Sequence, residues 1–355
     1  MFRPKICFFA FIVLTALIYA PLPTQAQVPN PYQSRNTHFG VSGSNRRDFT
    51  SAFCCSGTLG SLVTAGGILY ILSANHILAR QDKAVPGQNI SQPGLIDNDC
   101  QPATIVANFT TAPQLGTNVD AAIAQLRGGR MNTSGYIEGI GTISSVVKDP
   151  AVGLAVIKSG RTTGTTTGTI DAIHASVNVQ YQIRCGQGRT YIISYTNQII
   201  INSTTFSAGG DSGSLIVSND GCFQPVGLLF AGSSSTTVAN PISEVLTNLG
   251  AALGADVSFV GGTCTSSPSQ QVGGQGLQLP QKPVDDARNV LEQNRHDLMS
   301  QPGVLGVGIS ASDINNQEAA IIVYVDQTSS WRSQFADQID GVRVRVIFTD
   351  PIIAF

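Results

Sequence analysis

Three residues whose side chains can together perform nucleophilic hydrolysis occur in the chain order His76, Asp120 and Ser212. A serine hydroxyl is a weak nucleophile at neutral pH, so it needs a base within hydrogen-bond reach and donors for the oxyanion that forms. A histidine is such a base, and a neighbouring carboxylate orients its ring and stabilises the charge it gains. The sequence therefore predicts His76 as base, Asp120 as its orienting carboxylate and Ser212 as nucleophile.

The residues around Ser212 read Gly209-Gly210-Asp211-Ser212-Gly213. Glycines let the backbone turn sharply, so we expect the N–H groups of Gly210 and Ser212 to point together as an oxyanion hole. We expect Asp211 to hold this turn by pairing with a buried group. A Gly-Asp-Ser-Gly run alone is a common turn, and the combination with a histidine and an aspartate is what indicates a catalytic site.

The elements that would position these side chains are short apolar or alternating runs between residues 53 and 260, broken by Gly, Asn, Asp and Thr. His76 follows one apolar run, and Asp120 enters another, where a carboxylate needs a partner. Many short strands with frequent turn signals indicate an all-β sandwich or barrel. One helix is expected in this region, at residues 243–252 after Pro241.

Segments of different composition flank the β-rich region. Residues 1–26 combine Arg3 and Lys5 with an apolar run and a small-residue cleavage site, which predicts a secretory signal peptide rather than a retained membrane anchor. Residues 266–284 are rich in Ser, Gly, Gln and Pro and predict a linker. Residues 285–355 predict a small α+β domain with helices at 285–299 and 331–339 and strands at 303–309, 319–325 and 342–348.

Composition limits the partners and cofactors. Only 12% of the 355 residues are charged and the net charge is −2, so no basic surface is available for nucleic acid. No metal or other cofactor is expected, because Cys and His lack the short spacings of metal sites. Once Cys7 leaves with the signal, the remaining cysteines predict up to three disulfides of open pairing: Cys54, Cys55, Cys100, Cys185, Cys222 and Cys264.

The motifs around the three residues resemble those of the chymotrypsin-like (trypsin-like) serine proteases. The similar motifs are Leu72-Ser73-Ala74-Asn75-His76, Val119-Asp120-Ala121-Ala122-Ile123 and Gly210-Asp211-Ser212-Gly213-Ser214. Residues 158–164 and 225–232 are similar to segments of bacterial members, of the streptogrisin-like type or related to the plant narrow-leaf group. The resemblance covers about residues 54–249.

The resemblance implies that residues 27–265 form an all-β double six-stranded β-barrel with a cleft between the barrels, followed by the small α+β accessory domain. It places the substrate pocket at Phe206, Phe230, Ala231 and Gly232. Because Phe206 stands where trypsin-type enzymes have an acid, we expect a neutral or apolar pocket. The resemblance also implies disulfides Cys185–Cys222, Cys100 with Cys54 or Cys55, and Cys264 with the remaining member of that adjacent pair.

These features predict a secreted or periplasmic serine endopeptidase that acts on a protein or peptide substrate and has no membrane span after signal removal. The C-terminal domain would regulate or fold the protease domain, or bind a partner. Two alternatives stay open at this point. One is a catalytically silent binding scaffold with the same trypsin-like fold, and the other is an esterase that uses the same triad.

Overall fold

The computed structural model describes residues 30–264, 278–315, 317–329 and 335–355. The predicted signal peptide at residues 1–26 lies outside the described residues, as does most of the predicted linker. The start of the helix expected at residues 331–339 lies outside them too. The described chain is mostly β, with barrel-like sheets and few helices.

Between residues 30 and 142 the structure describes nine strands, one single-turn helix and a 3-10 helix at Leu95–Asn98. Its elements are β1 (Val41–Asn45), β2 (Gly57–Leu59), β3 (Ser61–Ala65), β4 (Ile68–Ser73), α1 (Asn75–Leu78), β5 (Asn89–Gln92), β6 (Thr104–Thr111), β7 (Ala122–Leu126), β8 (Tyr136–Ile137) and β9 (Gly141–Thr142).

The remaining elements include two longer helices. In chain order they are β10 (Ala155–Gly160), β11 (Gly164–Thr169), β12 (Ala172–Arg184), β13 (Gln187–Asn202), β14 (Leu215–Ser218), β15 (Pro225–Gly232), β16 (Thr236–Pro241), α2 (Ile242–Leu253), β17 (Ser258–Phe259), α3 (Gln281–Ser300), β18 (Val304–Ala311), β19 (Ala319–Asp326), β20 (Gln338–Ile339), β21 (Val342–Thr349) and β22 (Ile353–Ala354).

The first sheet has the strand order β17-β3-β4-β7-β6-β5-β1-β2. Only Gly60 separates β2 from β3, yet these strands lie at or near opposite ends of that order, so the sheet must curl back on itself. At Gly60 a Cβ atom would lie 2.0 Å from the Gly213 carbonyl oxygen, which only glycine avoids at this bend. Alternate apolar side chains fill the interior, with Leu62, Leu72 and Ile123 fully buried.

The second sheet has the order β11-β10-β14-β15-β16-β13-β12-β18-β19-β21-β20, and β22 pairs with both β12 and β15. Because β16 and β13 separate β15 from β12 along the sheet, the double pairing of β22 closes a ring of strands. This sheet carries Ser212 on the connection that precedes β14. The first sheet carries His76 and Asp120 beside β4 and β7. The two sheets meet here, since Thr58 N donates to the Ser212 carbonyl and the Tyr181 hydroxyl of β12 donates to Asp120.

The C-terminal residues extend the second sheet. Strand β18 pairs antiparallel with β12, β19 pairs antiparallel with β18, and β21 runs parallel to β19. Helix α3 packs on β18 and β19 through buried Val284, Ala287, Leu291 and Leu298. The strands lie within two residues of the expected ranges, and these elements are continuous in hydrogen bonding with the rest of the chain.

Two expectations for the C-terminal elements are corrected. Helix α3 begins at Gln281 after Pro280, four residues before the predicted start at residue 285, because proline fixes a backbone angle suited to a helix start. Residues 338 and 339, expected to be helical, form β20 and pair with β21. The left-handed Asp340 and Gly341 make a tight hairpin turn between the two strands, which overrides the helical spacing.

The six cysteines of the described residues form three disulfides, Cys54–Cys100, Cys55–Cys185 and Cys222–Cys264. The first pair is among those expected. The expected pair Cys185–Cys222 is wrong, and so is the expected link of Cys264 to the Cys54-Cys55 pair. The long β12–β13 hairpin carries Cys185 at its tip and reaches across to Cys55, and this leaves Cys222 for Cys264.

Candidate active site

The imidazole of His76 is held against the carboxylate of Asp120. One residue separates the end of β4 from the start of α1, so the C-terminal end of this buried strand fixes the position of His76. Its Nδ1 lies 2.7 Å from Asp120 Oδ2, and its backbone N–H donates to Oδ1 at 3.1 Å. Asp120 is fully buried and His76 is 7% exposed. The pair therefore holds one ring edge and leaves Nε2 directed to the cleft.

The pKa of His76 is raised above its ordinary value. Burial of the ring acts to lower this pKa, but the charge of Asp120 and the hydrogen bond to it outweigh burial, with smaller contributions from the Phe355 carbonyl and Asp48. A raised pKa makes the ring a stronger base and stabilises the imidazolium form. The contact with Asp120 therefore makes the His76 ring a better proton acceptor.

Two buried tyrosines, Tyr181 and Tyr195, support Asp120. No motif or spacing in the sequence had singled them out. The Tyr181 hydroxyl donates to Asp120 Oδ2 at 2.8 Å and lies 2.7 Å from the Tyr195 hydroxyl. Because Tyr181 has one hydroxyl proton, Tyr195 must be the donor between the two. Burial is the largest of the effects that raise the pKa of Tyr181, so this hydroxyl stays protonated and acts as a donor.

The turn around Ser212 takes the shape that its glycines suggest. Gly210 and Gly213 have φ values of +98° and +91°, a region that favours glycine. The Ser212 carbonyl accepts from Thr58 N at 2.8 Å, and Gly213 N donates to the Leu229 carbonyl at 2.8 Å. Among the hydrogen bonds of the described residues, none uses the N–H of Gly210 or of Ser212. Both groups thus remain available as donors.

Asp211 pairs with the buried Lys158. Such a partner is what we expected of a carboxylate that holds the turn around Ser212. Lys158 and Asp211 are both fully buried, and Nζ lies 3.4 Å from Oδ2. Burial lowers the pKa of Lys158, and the charge of Asp211 opposes that effect. The backbone N–H of Thr162 also donates to Oδ1 of Asp211 at 2.8 Å. Residues 158–164 carry the family resemblance, but nothing in their spacing identified Lys158 as this partner.

A second ion pair lies beside the turn. Arg161 donates through Nε and Nη2 to the two oxygens of Asp97, each at 2.6 Å. Such a two-point contact fixes the guanidinium plane. A Cβ atom on Gly210 would lie 2.6 Å from Nη1 of Arg161, so the guanidinium packs directly against this glycine. The Arg161–Asp97 pair therefore holds the backbone of Gly210, whose N–H is expected to stabilise the oxyanion.

Ser212 and His76 each contact a backbone carbonyl oxygen. The Ser212 hydroxyl donates to the Phe230 carbonyl at 3.0 Å. Nε2 of His76 lies 2.9 Å from the backbone carbonyl oxygen of Phe355, the final residue of the sequence. Residues 353–355 thus lie in the cleft beside His76.

The residues expected to line the pocket occupy two different environments. Phe230, Ala231 and Gly232 form the end of β15, and Ala231 and Gly232 pair with β22. Phe206 is fully buried in an apolar cluster, with Lys158 Nζ 5.9 Å from its ring centroid, and half-buried Phe355 packs against the same cluster. The structure therefore places Ala231 and Gly232 against β22 at the end of β15, while the side chains of Phe206 and Phe230 are fully buried.

A cavity of about 870 Å³ opens beside His76, Arg161, Gly210 and Phe355. Within the described ranges, no group of three or more His, Cys, Asp or Glu side chains could hold a metal ion. The helices of the described part of the chain are also too short or too polar to cross a membrane.

No protein-family model matches the sequence. A search of curated proteins also finds no match. Among solved structures, a glutamic-acid-specific serine protease is 22% identical at a TM-score of 0.44, covering 62% of this chain and 98% of that one.

Two further solved structures have similar sequence identities, TM-scores and coverage. Thermobifida fusca protease A is 18% identical at a TM-score of 0.43, covering 64% of this chain and 99% of that one. Cellulomonas bogoriensis chymotrypsin is 19% identical at 0.41, with the same coverage of 64% and 99%. At these identities and TM-scores the likenesses do not assign an activity.

Proposed function

We propose that this protein is an exported serine endopeptidase with a chymotrypsin-like double barrel, in which Ser212 forms an acyl-enzyme. The observation that carries the proposal is the buried His76–Asp120 pair, with Nδ1 2.7 Å from Oδ2, beside the glycine turn of Ser212. A buried carboxylate bonded to one ring nitrogen leaves the other nitrogen as the basic atom. That atom faces the cleft.

In the proposed reaction, the Ser212 oxygen attacks the substrate carbonyl carbon while His76 Nε2 takes the hydroxyl proton. The N–H groups of Gly210 and Ser212 stabilise the oxyanion. His76 then gives its proton to the leaving amine as the C–N bond breaks, and the acyl group stays on Ser212. Water, deprotonated by His76, attacks the acyl carbon, and the returning proton restores the serine hydroxyl.

The proposal assigns a pocket at the end of β15 and leaves the subgroup, streptogrisin-like or narrow-leaf-like, as a prediction. Export rests on the signal-like residues 1–26, and the three disulfides support an oxidising compartment. The binding-scaffold alternative gives no reason for a buried His–Asp pair beside two free backbone donors. The esterase alternative uses the same chemistry and differs only in the substrate.

Labelling with a fluorophosphonate, which reacts with an activated serine, tests the proposal together with hydrolysis of casein and of a simple ester. We expect labelling and casein cleavage in the wild type, and loss of both in Ser212→Ala by about 10⁴-fold or more. Ser194→Ala, which truncates an exposed serine of β13, is the matched control. Labelling that survives Ser212→Ala contradicts the proposal, and ester hydrolysis without casein cleavage favours the esterase.

A further inference from the structure

Residues 353–355 lie in the cleft as an extended strand. Ala354 pairs antiparallel with Ala231 and Ile353 with Gly232, so the register brings Phe355 opposite Phe230. The Phe355 N–H donates to the Phe230 carbonyl at 3.4 Å, the acceptor that Ser212 Oγ also uses. This is β-strand addition to the edge of β15, the way in which extended peptides bind to sheets.

The final residue is held at both ends of its backbone. Its N–H meets Phe230, while its carbonyl oxygen lies 2.9 Å from Nε2 of His76. A substrate carbonyl group under attack must come close to the base and the nucleophile in this way. The Phe355 backbone oxygen therefore lies beside the proposed base, in the part of the cleft where a substrate must bind.

The Phe355 ring has its own contact surface. A Cβ atom added to Gly232 would lie 2.6 Å from Cζ and 2.9 Å from Cε2 of this ring, so the ring lies directly on the glycine backbone. The ring also packs against the apolar cluster that contains Phe206. An aromatic side chain thus fits where the absence of a side chain at position 232 leaves room.

Residues 349–352, the tail segment that leads into the strand of residues 353–355, are also held by hydrogen bonds and burial. The Thr349 hydroxyl lies 2.7 Å from the Ser233 hydroxyl, and Ser234 donates to Asp350. Ile352 is fully buried, and its carbonyl accepts from Gln180 N at 2.9 Å. These contacts join the tail to β12 and to the residues that follow β15, so the strand enters the cleft from a fixed point.

We infer that residues 353–355 occupy the substrate path of the proposed protease, blocking it in cis, and that the site takes an aromatic residue immediately before the cleaved bond. The inference rests on the proposed function and adds its substrate class and its regulation. A tethered segment acts at an effective concentration in the millimolar range, so a few backbone bonds suffice to keep the cleft filled. Substrates must compete with this segment.

The test compares the full-length protein, signal removed, with a deletion of residues 353–355 and with Phe355→Asp. Ile314→Asp, at an exposed apolar position of the same C-terminal region, is the matched control. We expect the first two variants to label with fluorophosphonate at least about tenfold faster than wild type, and the control to match wild type. Equal rates in all four proteins would overturn the blocking role.

Specificity is measured on the deletion variant with Ile-Ala-X p-nitroanilides in which X is Phe, Lys, Glu or Gly. We expect kcat/KM for Phe to exceed the others by about tenfold or more, since burial of an aromatic ring is a favourable contribution that the other side chains lack. A preference for Lys, Glu or Gly would overturn the aromatic assignment.

A readout independent of catalysis separates this inference from the proposed function. In Ser212→Ala, amide hydrogen exchange of residues 353–355 should be at least about tenfold slower than in the same protein carrying Phe355→Asp. Rapid exchange in both proteins contradicts the occupied cleft, whatever the activity. Slow exchange together with no labelling of the deletion variant contradicts the proposed hydrolase and leaves the tail contact standing.

Discussion

Nδ1 of His76 and Oδ2 of Asp120 lie 2.7 Å apart, with the carboxylate fully buried and also bonded to Tyr181. A carboxylate in this position fixes which ring nitrogen carries the proton and stabilises the charged ring. The relationship ties the protonation of the proposed base to one side chain, so its replacement has measurable consequences.

Asp120→Asn should lower kcat by about 10³- to 10⁴-fold, because the ring loses both its orientation and its counter-charge. Activity needs neutral His76, so the rate falls as the pH drops through the His76 pKa. Asp120 is the main group that raises this pKa, and its removal should move the acid limb of the pH–rate profile to lower pH. An acid limb that stays in place or moves upward would contradict this role.

Tyr181→Phe should lower kcat by about tenfold with little change in KM, because Asp120 loses a charge-assisted hydrogen bond that contributes about 1.5 to 3 kcal/mol. Tyr195→Phe is the matched control, since its hydroxyl contacts Tyr181 rather than the carboxylate. The two variants are compared in steady-state kinetics and in the pH dependence of kcat. Equal effects of both substitutions would contradict a role specific to the Tyr181–Asp120 hydrogen bond.

Gly213→Ala should destabilise the protein by more than about 2 kcal/mol, because a methyl group at this φ of +91° is strained and overpacked. The added Cβ would lie 2.1 Å from Ser73 Oγ and 2.4 Å from the Thr58 carbonyl oxygen. Gly209→Ala, with open space around the added atom, is the matched control for stability. Thermal melts check the pair, and similar Tm values would contradict the described turn.

Asp48→Asn should stabilise the protein at neutral pH. Burial raises the pKa of Asp48 to about 6, against the opposing charges of Arg80, His76 and Lys83. Between pH 4 and 6 the folded state therefore binds more protons than the unfolded state, and the free energy of unfolding falls as the pH rises. The variant avoids this loss of about 2 to 3 kcal/mol.

Thermal melts of Asp48→Asn and wild type across pH 4 to 8 measure the effect. The Tm advantage of the variant should grow as the pH rises through 6 and then level off. Asp149→Asn, at an exposed position, controls for the loss of one negative charge. An advantage that is largest at pH 4 would have the wrong sign and would contradict a buried, desolvated Asp48.

Local patterns predicted much of the framework. Alternating apolar residues and turn signals indicated the short strands, and proline and apolar spacing predicted α2 within one residue of its observed bounds. These features are local because the side chains on the buried face of a strand or helix come from residues close together in the sequence. The residue types at positions 76, 120 and 212 likewise suggested one site, and the structure pairs His76 with Asp120.

Tertiary structure alone decided the groups that meet from distant parts of the chain. Lys158 beneath Asp211, Tyr181 behind Asp120 and the pairing of the cysteines depend on how two sheets and a long hairpin close on each other. The contact of Phe355 with His76 spans 279 residues. The sequence by itself determined that His76, Asp120 and Ser212 could do chemistry together. Only the fold, by closing the second sheet with β22, decided what fills the space between them.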